Sequence, residues 1–286
     1  MWFFSINANW ILSTYHYFIN NLFFKATMWL FTSKRVLLIF TWGTVAWNVA
    51  SSNVTEQVKS DWNSFLNSLE NSVEIIKKNR NIEIDTSIEE LINIDSSNLQ
   101  PEHRTQIIEK VKEKYDEFDA FIVLHGTNTM WYSAAAASFA FENINKPIIF
   151  TWAQVPLGYL GSDSETNLVN SLRIAVRWYH EVKWVMAVFW SKIITWTRVK
   201  KGTDFDYDPF RAFQTWTLWQ IGRFIRIDEN SLAKHVGYLS KKKPLAIQSR
   251  VLSVKSEFNT RIIWSLTEFP GMSVETFRLL VEHNWI

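Results

Sequence analysis

An α/β fold built on a doubly wound, mostly parallel sheet is predicted by two features of the chain. Short, near-continuous apolar runs alternate with longer helix-prone segments, and polar clusters follow the apolar runs. The expected architecture is a large N-terminal domain followed by the start of a smaller α/β C-terminal domain.

The elements follow in order. Arg35–Thr41 reads as a first strand covered on both faces, because its apolar run does not alternate. Val54–Ile76 reads as a helix. Pro101–Phe118 is a charged amphipathic helix with proline at its entry, where the missing N–H costs nothing. Ala120–His125 is a second apolar strand, followed by the helix-prone Met130–Asn143. Lys146–Phe150 is a third strand and Glu165–Tyr179 a helix, with Val182–Phe189 and Lys192–Thr195 as further short strands. Ligands of such sheets bind beyond the carboxyl ends of the strands, so chemistry is sought in the polar clusters there.

Composition bounds the function classes. With 286 residues, 47% of them hydrophobic, the chain can bury one large core or two smaller ones. A net charge of +2 gives no sign of a nucleic-acid partner or an anionic membrane surface. Cysteine is absent, which removes thiolate chemistry and suits a cytoplasmic location. The six histidines show no ligand spacing, so neither metal nor cofactor is expected. Residues 1–24 carry no charged side chain, but Asn7, Asn9, Ser13, Thr14, His16, Asn20 and Asn21 interrupt them, unlike a membrane span of about twenty mostly apolar residues. Residues 1–33 are read as an extension outside the fold, and no membrane association is expected.

Three strand-end clusters stand out: Thr41-Trp42-Gly43-Thr44, His125-Gly126-Thr127-Asn128-Thr129-Met130, and the hydroxyl-rich Asp95-Ser96-Ser97-Asn98. Each alone reads as turn or capping chemistry. Together with Lys201, they supply a threonine nucleophile and a basic partner.

In this order the clusters resemble the bacterial-type L-asparaginases, a family of threonine-nucleophile amidohydrolases. The family signature Thr-Gly-Gly-Thr matches Thr41–Thr44 except at Trp42, and His-Gly-Thr-Asp-Thr-Met matches His125–Met130 except at Asn128. Asp-Ser-Ser-Asn-Met matches Asp95–Asn98, then departs at Leu99. Phe150-Thr151-Trp152-Ala153-Gln154 is similar to Phe-Thr-Gly-Ala-Gln, with Ser162-Asp163 and Asn167-Leu168 following. Arg-x-x-Lys falls on Arg198 and Lys201, and Glu268–Met272 resembles the opening of the second domain.

The resemblance implies roles. Thr44 attacks the side-chain amide, and Thr127 with Lys201 and the residue at 128 relays protons. Asp95, Ser96 and Ser97 hold the amino-acid end of the substrate, L-asparagine or L-glutamine. It also implies a homo-oligomer when complete, a catalytic domain over 34–229, a linker over 230–258, and a truncated second domain over 259–286. Asn128 is a charge-losing departure from the family's Asp, which leaves a noncatalytic or weakly active asparagine-binding homologue as the alternative. A tRNA-dependent amidotransferase shares the catalytic half but is expected to carry a further domain before the first strand.

A second departure is compositional. The chain holds 16 Trp and only 8 Gly, where about 7% glycine is usual. Trp42, Trp47, Trp152, Trp178, Trp184, Trp190, Trp196, Trp219 and Trp285 fall where the family carries or readily accepts glycine. Reading UGA codons as Trp in a gene that uses them for Gly accounts for all nine. Taken literally, the replacements are expected to destabilise the fold, and Trp42 and Trp152 to obstruct the pocket.

Overall fold

The computed structural model describes residues 33–41, 54–80, 82–155, 157, 159–176, 183–195, 199–212, 217–227, 252–255, 273–275 and 278. Its centre is an eight-stranded mixed sheet. In chain order the strands are β1 (Ser33–Phe40), β2 (Glu83–Glu90), β3 (Ala120–Leu124), β5 (Ile148–Thr151), β6 (Val185–Phe189), β7 (Lys192–Thr195), β10 (Thr217–Ile221) and β11 (Ile225–Ile227). They lie in the order β11-β10-β7-β6-β5-β3-β1-β2. Pairing is parallel from β2 through β6 and antiparallel from β6 through β11.

Alternation along β1 explains why the sheet is wound on both faces. Val36, Leu38 and Phe40 face a core shared with Phe65 and Leu69 of helix α1 (Val54–Arg80) and Leu168 and Leu172 of α4 (Ser164–Ala175). Leu37 and Ile39 face the opposite core, with Ile107, Ile108 and Val111 of α2 (Pro101–Glu113) and Met130, Ala134 and Ala137 of α3 (Met130–Ala140). Both faces being covered, β1 shows no polar alternation.

Strand β2 lies outside the sequence expectation. Its Glu-Ile-Asp-Thr-Ser-Ile-Glu-Glu run pairs only with β1, along one side of the strand. A charged edge strand resists further pairing, and its acidic residues mask the strand signal. Helix ends also differ from expectation. Helix α2 stops at Glu113, and Tyr115 beyond it is buried with its hydroxyl donating to Asn145 Oδ1 at 2.6 Å. Helix α3 stops at Ala140 because Phe141–Glu142 becomes β4 and pairs with β12 (Ser253–Val254). The extension and the second domain lie outside the described residues, apart from Ser33 and a few positions near 273–278.

Tryptophan positions split by environment. Trp152 is accommodated: it is 3% exposed and edge-on to Phe40 and Phe65, so among the described residues it packs in the core. Trp190 is strained. It opens the two-residue turn between β6 and β7 with φ at 49°, the left-handed region that favours glycine. Asn167 Oδ1 accepts from its N–H at 2.6 Å and Asn170 Nδ2 donates to its carbonyl at 2.8 Å, so the backbone is held there. Trp190→Gly is therefore expected to raise stability by about 1 kcal/mol. A urea midpoint that falls or stays fixed refutes the strain argument.

Candidate active site

The chain runs from β1 outward to β2, then returns across β1 to β3, β5 and β6. The direction of winding thus reverses between β1 and β3, which makes the crevice above their carboxyl ends the expected ligand site. Phe40 pairs with Leu124, and both the N–H and the hydroxyl of Thr41 donate to the Leu124 carbonyl at 3.0 Å. Thr41 and the start of the cluster after β3 therefore lie side by side at the end of the sheet. Trp42, Gly43 and Thr44 lie outside the described residues, so the nucleophile position is fixed only to the segment that follows Thr41.

The other candidate residues converge. Lys201 ends strand β8 (Val199–Lys201), which forms a hairpin with β9 (Phe210–Ala212). Its Nζ donates to Thr127 Oγ1 at 3.0 Å and to Asn128 Oδ1 at 2.9 Å. Asn128 Nδ2 in turn donates to Ser97 Oγ at 3.0 Å. Asp95 caps the short turn that carries both serines, accepting from the Ser97 N–H at 2.7 Å. Thr129 Oγ1 donates to the Ser96 carbonyl at 2.7 Å, which docks that turn on the end of β3. One connected chain thus runs Lys201–Asn128–Ser97–Asp95, with Thr127 as a branch. Arg198, its companion in the sequence motif, lies outside the described residues.

Asn128 sets the polarity of this chain. Its oxygen faces a cation that can only donate, so its NH2 group faces Ser97. Ser97 Oγ accepts that bond, so its own proton is not used in it.

His125 supports the cluster from below. Fully buried, it meets the Gly126 carbonyl through Nδ1 at 2.8 Å and Ser133 Oγ through Nε2 at 2.8 Å. A carbonyl only accepts, so Nδ1 carries the proton and Nε2 accepts from the serine hydroxyl. Burial pushes the imidazole down to about 4. The unfolded chain takes up a proton near 6.5, whereas the folded one resists it until about 4. This stability is complete above the unfolded value and is lost as pH falls through that window. About 3 kcal/mol is at stake, and His125→Gln is expected to flatten the fall in urea midpoint between pH 7 and 4.5. Equal falls in both proteins count against it.

Two groups have structural roles that spacing alone did not reveal. Asp163 accepts from the N–H groups of Gln154 and Val155 and from Asn167 Nδ2, pinning the loop after β5. Its burial pushes the carboxyl up, and those hydrogen bonds pull it back. Asp204 pairs with Lys201 at 2.5 Å; the sequence motifs assign it nothing. Among the described residues, no group of three or more His, Asp or Glu is placed to hold a metal ion, and no helix is long and apolar enough to cross a membrane.

Comparison with known proteins agrees with this arrangement. The family described as "Asparaginase, N-terminal" matches residues 35–233. L-asparaginase 1 of Escherichia coli is 47% identical over 85 residues, 30% of this chain and 25% of that protein. The L-asparaginase of Dirofilaria immitis is 28% identical over 185 residues, 65% of this chain and 29% of that protein. The matched segments thus span less than a third of the length of these two relatives. The crystal structure of L-asparaginase I from Vibrio cholerae aligns with a TM-score of 0.60 and 25% identity, over 87% of this chain and 68% of that one. With a sheet whose winding reverses between β1 and β3 and a family match over residues 35–233, the chain belongs to the asparaginase family.

Proposed function

We propose that the chain is an L-asparaginase that hydrolyses L-asparagine to L-aspartate and ammonia through a threonine-bound acyl-enzyme. The observation that carries this reading is the Lys201–Thr127 hydrogen bond, at the end of β3 where Thr41 also donates to the Leu124 carbonyl. Thr44 Oγ attacks the side-chain amide carbon, its proton passes to the departing amine, and ammonia leaves a β-aspartyl ester. Water then adds to the ester carbonyl and restores the hydroxyl. Lys201 donates to Thr127 Oγ1 and, held as an ammonium, polarises the hydroxyl through which that proton is relayed. Asp95, Ser96 and Ser97 hold the amino-acid end of the substrate, and Ser97 turns its free proton toward the carboxylate. No cofactor is needed. The reading includes a cytoplasmic location and a homo-oligomer. Ammonia release from L-asparagine, compared with L-glutamine, tests it; neither release nor L-aspartate binding refutes it.

Asn128 favours one rival, a noncatalytic asparagine-binding homologue. Saturable L-asparagine binding without ammonia release identifies that case.

We also read the tryptophan excess as glycine codons rendered as Trp. The left-handed backbone at Trp190 supports this, as does the Trp219 indole N–H, which is buried with no hydrogen-bond partner among the described residues. Trp152 gives no such support, since its ring fits the core. TGG codons at 42 and 152 overturn the reading.

A further inference from the structure

The asparagine at 128 leaves Lys201 without a carboxylate from the β3 cluster, yet the lysine side chain is only 12% exposed. A largely buried ammonium needs three acceptors and a counter-charge. Thr127 Oγ1 and Asn128 Oδ1 supply two neutral acceptors, at 3.0 and 2.9 Å. Asp204 Oδ1, at 2.5 Å, is the third and, among the described residues, the one ion pair of Lys201.

Asp204 is held there by its backbone, although its side chain is 85% exposed. It lies in the turn between β8 and β9. Gly202 N–H donates to the Pro209 carbonyl at 2.8 Å, which closes the base of that turn. Phe205 N–H donates to Thr203 Oγ1 at 3.1 Å. Gln154 Nε2 reaches across from the loop after β5 to the carbonyls of Asp204 and Asp206, both at 3.3 Å. Gln154 is itself anchored through its N–H to the buried Asp163. The turn is thus fixed from within and from a second loop.

We infer that Asp204 is the positioning residue for Lys201 in this chain, supplying from the β8–β9 turn the negative charge that Asn128 lacks. It touches no substrate and acts by holding Nζ against Thr127 and Asn128. This rests on the proposed amidohydrolase reading for its effect on rate, but the pairing itself does not.

Two measurements on the full chain separate the pairing from the activity. In the first, lysine acetylation by acetic anhydride is followed by mass spectrometry. Asp204→Asn is expected to raise the Lys201 rate at least threefold relative to Lys112, and Asp204→Glu to restore much of the protection. An unchanged Lys201 rate overturns the inference. In the second, ammonia release from L-asparagine is measured across a double-mutant cycle with position 128. Asp204→Asn is expected to lower kcat about tenfold with KM changed less than twofold. In the Asn128→Asp background, where a second carboxylate faces Lys201, the same change is expected to cost less than threefold. Equal losses in both backgrounds, or a loss confined to KM, overturn the inference. A chain that shows the labelling response but neither turnover nor L-aspartate binding overturns the proposed function and leaves the pairing standing.

Discussion

Lys201→Met and Thr127→Ala are each expected to lower kcat/KM for L-asparagine by about a thousandfold. Proton transfer by a positioned side chain contributes roughly 10²–10⁴ in rate, and in the proposed mechanism these residues form one relay, joined by a single 3.0 Å hydrogen bond. Groups that act as a unit are not additive, so the double variant should be no slower than the slower single one. Methionine keeps most of the length and volume of the lysine stem, and Thr127→Ala removes a hydroxyl at a site only 6% exposed. The fold is therefore expected to stand. Binding is also expected to survive, because Thr129 and Asp95 hold the Ser96–Ser97 turn directly, whereas Lys201 reaches Ser97 only through Asn128. Steady-state rates and L-aspartate titrations check both halves. Losses of tenfold or less, or binding lost together with rate, count against a Lys201–Thr127 relay.

The strands that position this site were legible because they are buried on both faces. Leu37 and Leu38 point into opposite cores yet are both apolar, which gives the unbroken run that marks β1. Strand β2 was hidden because an edge strand carries charge by design against further pairing, and its Glu and Asp residues obscure the period of two. The β8–β9 hairpin was hidden for another reason: three residues per strand are too few to show any period. For the site, the strand-end cluster His125–Met130 marked itself by composition. That Lys201 reaches it across 74 positions follows only from the order of strands in the sheet. Asp204 had no signature at all, since a carboxylate three residues after a lysine in a tight turn ordinarily faces water. The strain at Trp190 was visible as a large side chain at an expected glycine, but only the φ of 49° separates it from Trp152, which packs without left-handed backbone.

Asn128→Asp is expected to raise kcat for L-asparagine by about tenfold to a hundredfold. An amide and a carboxylate occupy nearly the same space, so the change is electrostatic. It gives Lys201 a charged partner at the 2.9 Å contact now made to a neutral oxygen. A charge-assisted hydrogen bond is worth about 1–3 kcal/mol when its alternative is a neutral or missing partner in a desolvated site. Within that range about 1.4 kcal/mol corresponds to tenfold and about 2.7 kcal/mol to a hundredfold. The gain carries a second consequence at Ser97. The Asn128 NH2 group now donates to Ser97 Oγ at 3.0 Å, and a carboxylate can only accept. Ser97 must then turn its proton toward position 128 and away from the ligand, so KM is expected to rise while kcat rises further. Steady-state kinetics on the variant separate the two effects. A kcat that does not increase shows that the counter-charge at 128 does not limit turnover in this chain. A KM that falls shows that the Ser97 proton is not what the substrate carboxylate meets.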